Sequence, residues 1–91
     1  MLTDVKKILK LLKEFEDRNG SYVINVDTAD REFINFDSPK AINQLVVSSV
    51  CNHVKMAIKN EQLTYGDFKN KFPRINAFLE RARQMGYRTF S

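Results

Sequence analysis

Cysteine and histidine each occur once in the 91 residues, as Cys51 and His53. A single cysteine excludes an intrachain disulfide, and with one histidine beside it a tetrahedral zinc site lacks the ligands it needs. Extracellular domains of this size are often disulfide-stapled, so the composition points to a cytoplasmic protein. The three glycines stand apart at positions 20, 66 and 86. They form no glycine-rich loop to cradle phosphates, which excludes the dinucleotide and P-loop motifs, and no cofactor is expected. The longest stretch without charge, residues 41–54, is too short to span a bilayer and carries Asn43, Gln44, Ser48, Ser49, Asn52 and His53. The opening residues MLTDVKK lack the apolar run and cleavage site of a signal peptide.

What remains is the composition of a globular chain. Apolar residues make up 43% and charged residues 29%, a balance that supports a hydrophobic core rather than disorder. The length suits one compact domain over residues 1–91, burying roughly 60–65% of its unfolded surface. Abundant Lys, Asn and Ile would suit an AT-rich bacterial or phage genome.

Charge is distributed unevenly. Residues 21–38 carry a net −3 and residues 63–91 a net +4. The expectation is an acidic hairpin and a basic C-terminal region, the latter drawing an anionic partner.

The hydrophobic pattern predicts an α+β fold in the order α-β-β-α-α(α). Val5, Ile8, Leu9, Leu12 and Phe15 fall at helical spacing, with Thr3 as N-cap and Asn19-Gly20 as the stop. Lys6, Lys10, Lys13 and Asp17 occupy the opposite, solvated face. Two strand-like runs follow, Ser21–Val26 and Glu32–Asp37. Pairing Ile24 with Ile34 and Tyr22 with Phe36 places the apolar sets together across a five-residue loop, and leaves Val23 and Phe33 outside. Ser38-Pro39 opens a long central helix whose stripe runs through Ile42, Leu45, Val46, Ser49, Val50, His53, Val54, Ala57 and Ile58. Thr64 and Asp67 have capping-box spacing, and Leu63 and Phe68 that of a hydrophobic staple, so another helix begins there. Phe68, Phe72, Ile75, Leu79 and Ala82 keep one phase across Pro73, as in a kinked helix, and Gly86 terminates it. The tail Tyr87–Phe90 alternates as a third strand would. A small antiparallel hairpin or three-stranded sheet therefore packs on the central helix.

Catalytic groupings are sparse. Ser49 and His53 lie one turn apart, but no third group orients the imidazole and no tight turn presents the serine. His53 is expected to be buried and satisfied by the Ser49 hydroxyl. Asp27, Asp30, Glu32 and Asp37 lack the close oxygen spacing and central glycine of a calcium loop, and read as a turn with a solvated edge.

The C-terminal helix carries the candidate binding residues. Lys71, Arg74, Arg81 and Arg88 recur near one face, with Lys69 and Arg83 flanking and Arg74 and Arg81 as the central pair. Arginine suits bidentate contacts with carboxylate or phosphate. In outline the run from Leu63 to Tyr87 resembles a helix-turn-helix. Its break at Lys71-Phe72-Pro73 is tighter than the usual turn, and the hairpin precedes the helices where a winged version has it after, so no base-reading residues follow from it. The expected function is a non-catalytic binding or inhibitory protein, of the size of phage and mobile-element accessory proteins. Its partner would be an acidic protein surface in the first place and DNA or RNA in the second, with no membrane and no small-molecule substrate. An enzyme is not expected.

Overall fold

The structure, a computed structural model, describes residues 5–25 and 27–89, with side chains from Lys7 onward. The expected N-cap at Thr3 lies outside the described residues. Helix α1 spans Val5–Arg18 and ends where Asn19 takes a left-handed φ of 54°. Asparagine tolerates that conformation better than most residues. The chain passes directly into β1, Gly20–Ile24, which pairs antiparallel with β2, Arg31–Asn35. After a 3-10 turn over Pro39–Ala41 come α2 (Gln44–Lys59), α3 (Tyr65–Lys71) and α4 (Pro73–Gln84). The class is α+β, with a two-stranded sheet.

The strand register differs from the one the alternation predicts. Ser21 faces Ile34, Tyr22 faces Phe33, and Ile24 faces Arg31. This is a slip of three residues, and an odd slip exchanges the two faces of a strand. The inward set of β2, Ile34 continued by Phe36, stays as expected; the inward set of β1 becomes Ser21 and Val23, leaving Ile24 66% exposed. Asn25 causes the slip. Its side-chain oxygen accepts from the amides of Asp27 (2.9 Å) and Thr28 (3.2 Å). Its own amide donates to the Asp30 carbonyl at 2.7 Å, closing the loop earlier than the hydrophobic pattern suggests.

The central helix is shorter than Ser38-Pro39 implies. The Ser38 hydroxyl accepts from Lys40 N at 3.2 Å, but this caps only the 3-10 turn. The effective cap of α2 is Asn43, whose side chain accepts from Val46 N at 3.0 Å. The helix therefore starts five residues later and spans roughly 24 Å. Its buried stripe is Val46, Val47, Val50, Cys51, Val54 and Ala57, so Leu45 sits outside the core at 51% exposure.

Pro73 divides the C-terminal region into two helices rather than kinking one. Phe72, at φ −130° and ψ 62°, ends α3 and precedes α4. A residue before proline disfavours the helical region, which accounts for the break. The apolar phase nonetheless continues, because Phe68, Phe72, Ile75, Leu79 and Ala82 are all buried. Thr64 caps α3 through Asp67 N at 3.0 Å, and Leu63 and Phe68 are both in the core. Gly86, at φ 97°, ends α4: its amide donates to Arg83 O and that of Tyr87 to Ala82 O, both at 3.0 Å. These two bonds form a Schellman motif. Residues 87–89 form no strand.

Helix α1 packs against α2, α4 and β1, and α2 also packs against α4 and β1. Ile8, Leu12 and Phe15 of α1 meet the α2 valines and Ile75, Phe78 and Ala82 of α4 in one core. Phe78 stacks on Phe36 with centroids 4.6 Å apart, joining α4 to the end of β2. Each such side chain, when fully buried, contributes about 1.5–3 kcal/mol.

Candidate functional site

Where α1 passes the junction of α3 and α4, a groove of about 560 Å³ runs along the seam. Leu9 and Phe72 are its apolar lining residues, and three lysines, Lys10, Lys13 and Lys71, line it as well. Lys10 and Lys13 belong to the α1 face that the sequence presents as solvated. Folding sets them opposite Lys71, which ends α3. Glu16 and Asp17 complete the groove, and Glu16 is committed elsewhere. Its two carboxylate oxygens accept from Arg74 N at 2.8 Å and Ile75 N at 3.0 Å. Phe72 offers no side-chain cap to α4, so Glu16 caps that helix from α1. A carboxylate at a helix N-terminus meets both unpaired amides and the positive end of the helix dipole.

Two adjoining depressions continue the seam. One, lined by Glu16, Asp17, Asn70, Lys71, Pro73 and Arg74, joins Lys71 to Arg74. The other, lined by Asn19, Asp37, Arg74, Ala77 and Arg81, joins Arg74 to Arg81. Of the six candidate residues, Lys71, Arg74 and Arg81 are thus brought together. The two arginines have internal partners, however. The Arg74 guanidinium donates to the carbonyls of Glu16 and Asp17, both at 3.4 Å, at the C-terminal end of α1. Arg81 donates to the Phe36 carbonyl and lies 3.8 Å from the Asp37 carboxylate.

Lys69, Arg83 and Arg88 are exposed and line none of these three depressions. Arg83 lies opposite Arg74 and Arg81 around α4 and donates to Glu80 at 2.9 Å. That hydrogen bond, with the attraction of the Glu80 charge, raises the Arg83 pKa above its ordinary value. The Lys69 ammonium sits 6.0 Å from the Tyr65 ring centroid, and Arg88 follows the end of α4.

His53 is half-buried, and Nδ1 lies 2.6 Å from the backbone carbonyl of Ser49 rather than against its hydroxyl. Its ring packs edge-on against Phe15 at 5.7 Å. Among the described residues no three His, Cys, Asp or Glu side chains gather to hold a metal ion, and no helix is long and apolar enough to cross a membrane. The seam offers ammonium groups and an apolar lining, an arrangement suited to holding an anionic, partly apolar ligand by contact.

Helical periodicity identifies Lys71 and Arg74 but misses Lys10 and Lys13, because only the docking of α1 places them in the groove. Their joint occupation of one helix face was the available signal. Comparison with known protein families, curated proteins and solved structures finds no match.

Proposed function

We propose that the protein is a small, non-catalytic binding or inhibitory protein that engages an acidic surface of a protein partner through the α1–α3–α4 seam. The observation that carries this reading is the groove itself: Lys10, Lys13 and Lys71 around Leu9 and Phe72, with Glu16 withdrawn into the α4 cap so that three lysines stand against the carboxylate of Asp17. Complementary charge around an apolar contact speeds encounter and fixes orientation. A nucleic-acid partner has less support, because Arg74 and Arg81 direct their guanidiniums to groups within the protein. A cytoplasmic accessory role, including one encoded by a phage, suits this reading.

Affinity capture from the native host, with and without nuclease, tests the reading. A protein partner is expected to survive nuclease and to be lost from a Lys10→Glu, Lys13→Glu, Lys71→Glu variant. These exposed substitutions should each change stability by only about 0.5 kcal/mol. Capture that disappears with nuclease, with affinity falling steeply as salt rises, would instead establish nucleic-acid binding.

A further inference from the structure

The sequence sums the hairpin to a net negative charge, yet its outward face contains no acid. That face carries Gly20, Tyr22 and Ile24 from β1 and Arg31, Phe33 and Asn35 from β2. Asp27 and Asp30 lie in the loop, Glu32 shares the opposite face with Val23, and Asp37 follows the strand. Arg18, from the last turn of α1, adds a second cation to the outward face. Its guanidinium lies 4.6 Å from the Phe33 ring centroid and 5.3 Å from that of Tyr22, and it donates to the Tyr22 hydroxyl at 2.7 Å. Arg31 lies 4.4 Å from the Tyr22 centroid. The two rings meet edge to face at 5.0 Å, and Phe33 covers the space where a Gly20 side chain would stand.

Both arginines are therefore held against aromatic neighbours, and Ile24 stands 66% exposed beside them. We propose that this hairpin face is a second docking surface, whose occupant is a protein segment presenting an Asp or Glu side chain next to an apolar one. Charge complementarity selects the carboxylate: two guanidiniums occupy a face without acids, and a planar fork matches a carboxylate with two parallel hydrogen bonds. Ile24 selects the apolar neighbour, and tyrosine with arginine is the composition of binding hot spots. Prior ordering of Arg18 and Arg31 reduces the entropy lost on binding. Single-stranded nucleic acid fits less well, because bases stack on open rings and these rings already carry guanidiniums.

The surface is separate from the seam, and its test is separate too. Random peptides displayed on phage are selected against the full chain, and the enriched peptides are then titrated into isotopically labelled protein. The expected peptides carry a carboxylate within a residue or two of an apolar side chain. They should shift the backbone resonances of Tyr22, Ile24, Arg31 and Phe33. Ile24→Asp and Arg31→Glu should each weaken binding by about tenfold or more. A Lys10→Glu, Lys71→Glu variant should bind these peptides as the parent does. Peptides without acidic residues, resonance shifts confined to the seam, failure of any peptide to enrich, or an oligothymidylate that outcompetes them at this face would each overturn the proposal. Shifts confined to the seam would leave the seam reading standing while this one fell.

Discussion

Arg81, late in α4, donates a hydrogen bond to the backbone carbonyl of Phe36, the residue that follows β2. Its other terminal nitrogen approaches Asp37, which in turn accepts from the Asn19 side chain at 2.7 Å. One guanidinium thus connects α4, the end of the hairpin and the junction of α1 with β1. A charged donor to a carbonyl contributes more than an exposed ion pair does. Arg81→Ala should therefore cost about 1–2 kcal/mol in urea denaturation, and Asp37→Ala about 1 kcal/mol or less. Equal midpoints for Arg81→Ala and the parent would show the contact to be without consequence.

Glu16 should behave as the cap of a helix to which it does not belong. Glu16→Ala removes both acceptors from the α4 amides and is expected to cost about 1–2 kcal/mol. Glu16→Gln retains one oxygen and should fall between alanine and the parent. Hydrogen exchange at Arg74 and Ile75 is the local readout, since these amides lose their acceptor.

Ser21 is fully buried, and its hydroxyl has no hydrogen-bond partner among the described residues. A buried hydroxyl left unpaired opposes folding, whereas alanine fits the same space without that cost. Ser21→Ala should raise stability by about 1 kcal/mol. A lower melting temperature in this variant would reveal a partner for the hydroxyl.

Gly20→Ala should do the reverse. A Cβ at this position would stand 2.5 Å from both the Ile34 carbonyl oxygen and the Phe33 ring. The ring can swing away but the carbonyl is held in the sheet, so a loss of about 1–3 kcal/mol is expected. Combining Gly20→Ala with Phe33→Ala separates the two clashes, because only the backbone contact remains.

The start of α3 provides a check on local chemistry. Thr64→Ala should cost about 1 kcal/mol, and Phe68→Ala, with its ring 1% exposed, about 3–5 kcal/mol. Unchanged denaturant midpoints in both would contradict the placement of this helix.

Elements governed by neighbouring residues were legible in the sequence. Thr64 caps α3, Asn19 ends α1, Gly86 ends α4, and the buried stripe runs from Phe68 to Ala82 in a single phase. Each depends on contacts within a few positions, which residue type and spacing constrain directly. The α2 boundary was harder to read because two capping signals, Ser38-Pro39 and Asn43, compete within five residues, and only the second leads into the long helix.

Tertiary structure decided the rest. The alternation of β1 favours Tyr22 and Ile24 inward, but a loop closed by Asn25 inverts the strand, and the odd slip carries the aromatic pair outward to Arg18 and Arg31. The basic residues near one face of α4 are plain in the sequence; that Arg74 and Arg81 turn to the carbonyls of α1 and the hairpin is not. Lys10 and Lys13 meet Lys71 only because α1 docks beside α3 and α4. Periodicity determines which side of an element is apolar and where its charges lie. It does not determine which element comes to face those charges, because that depends on how the buried surfaces of distant segments fit together.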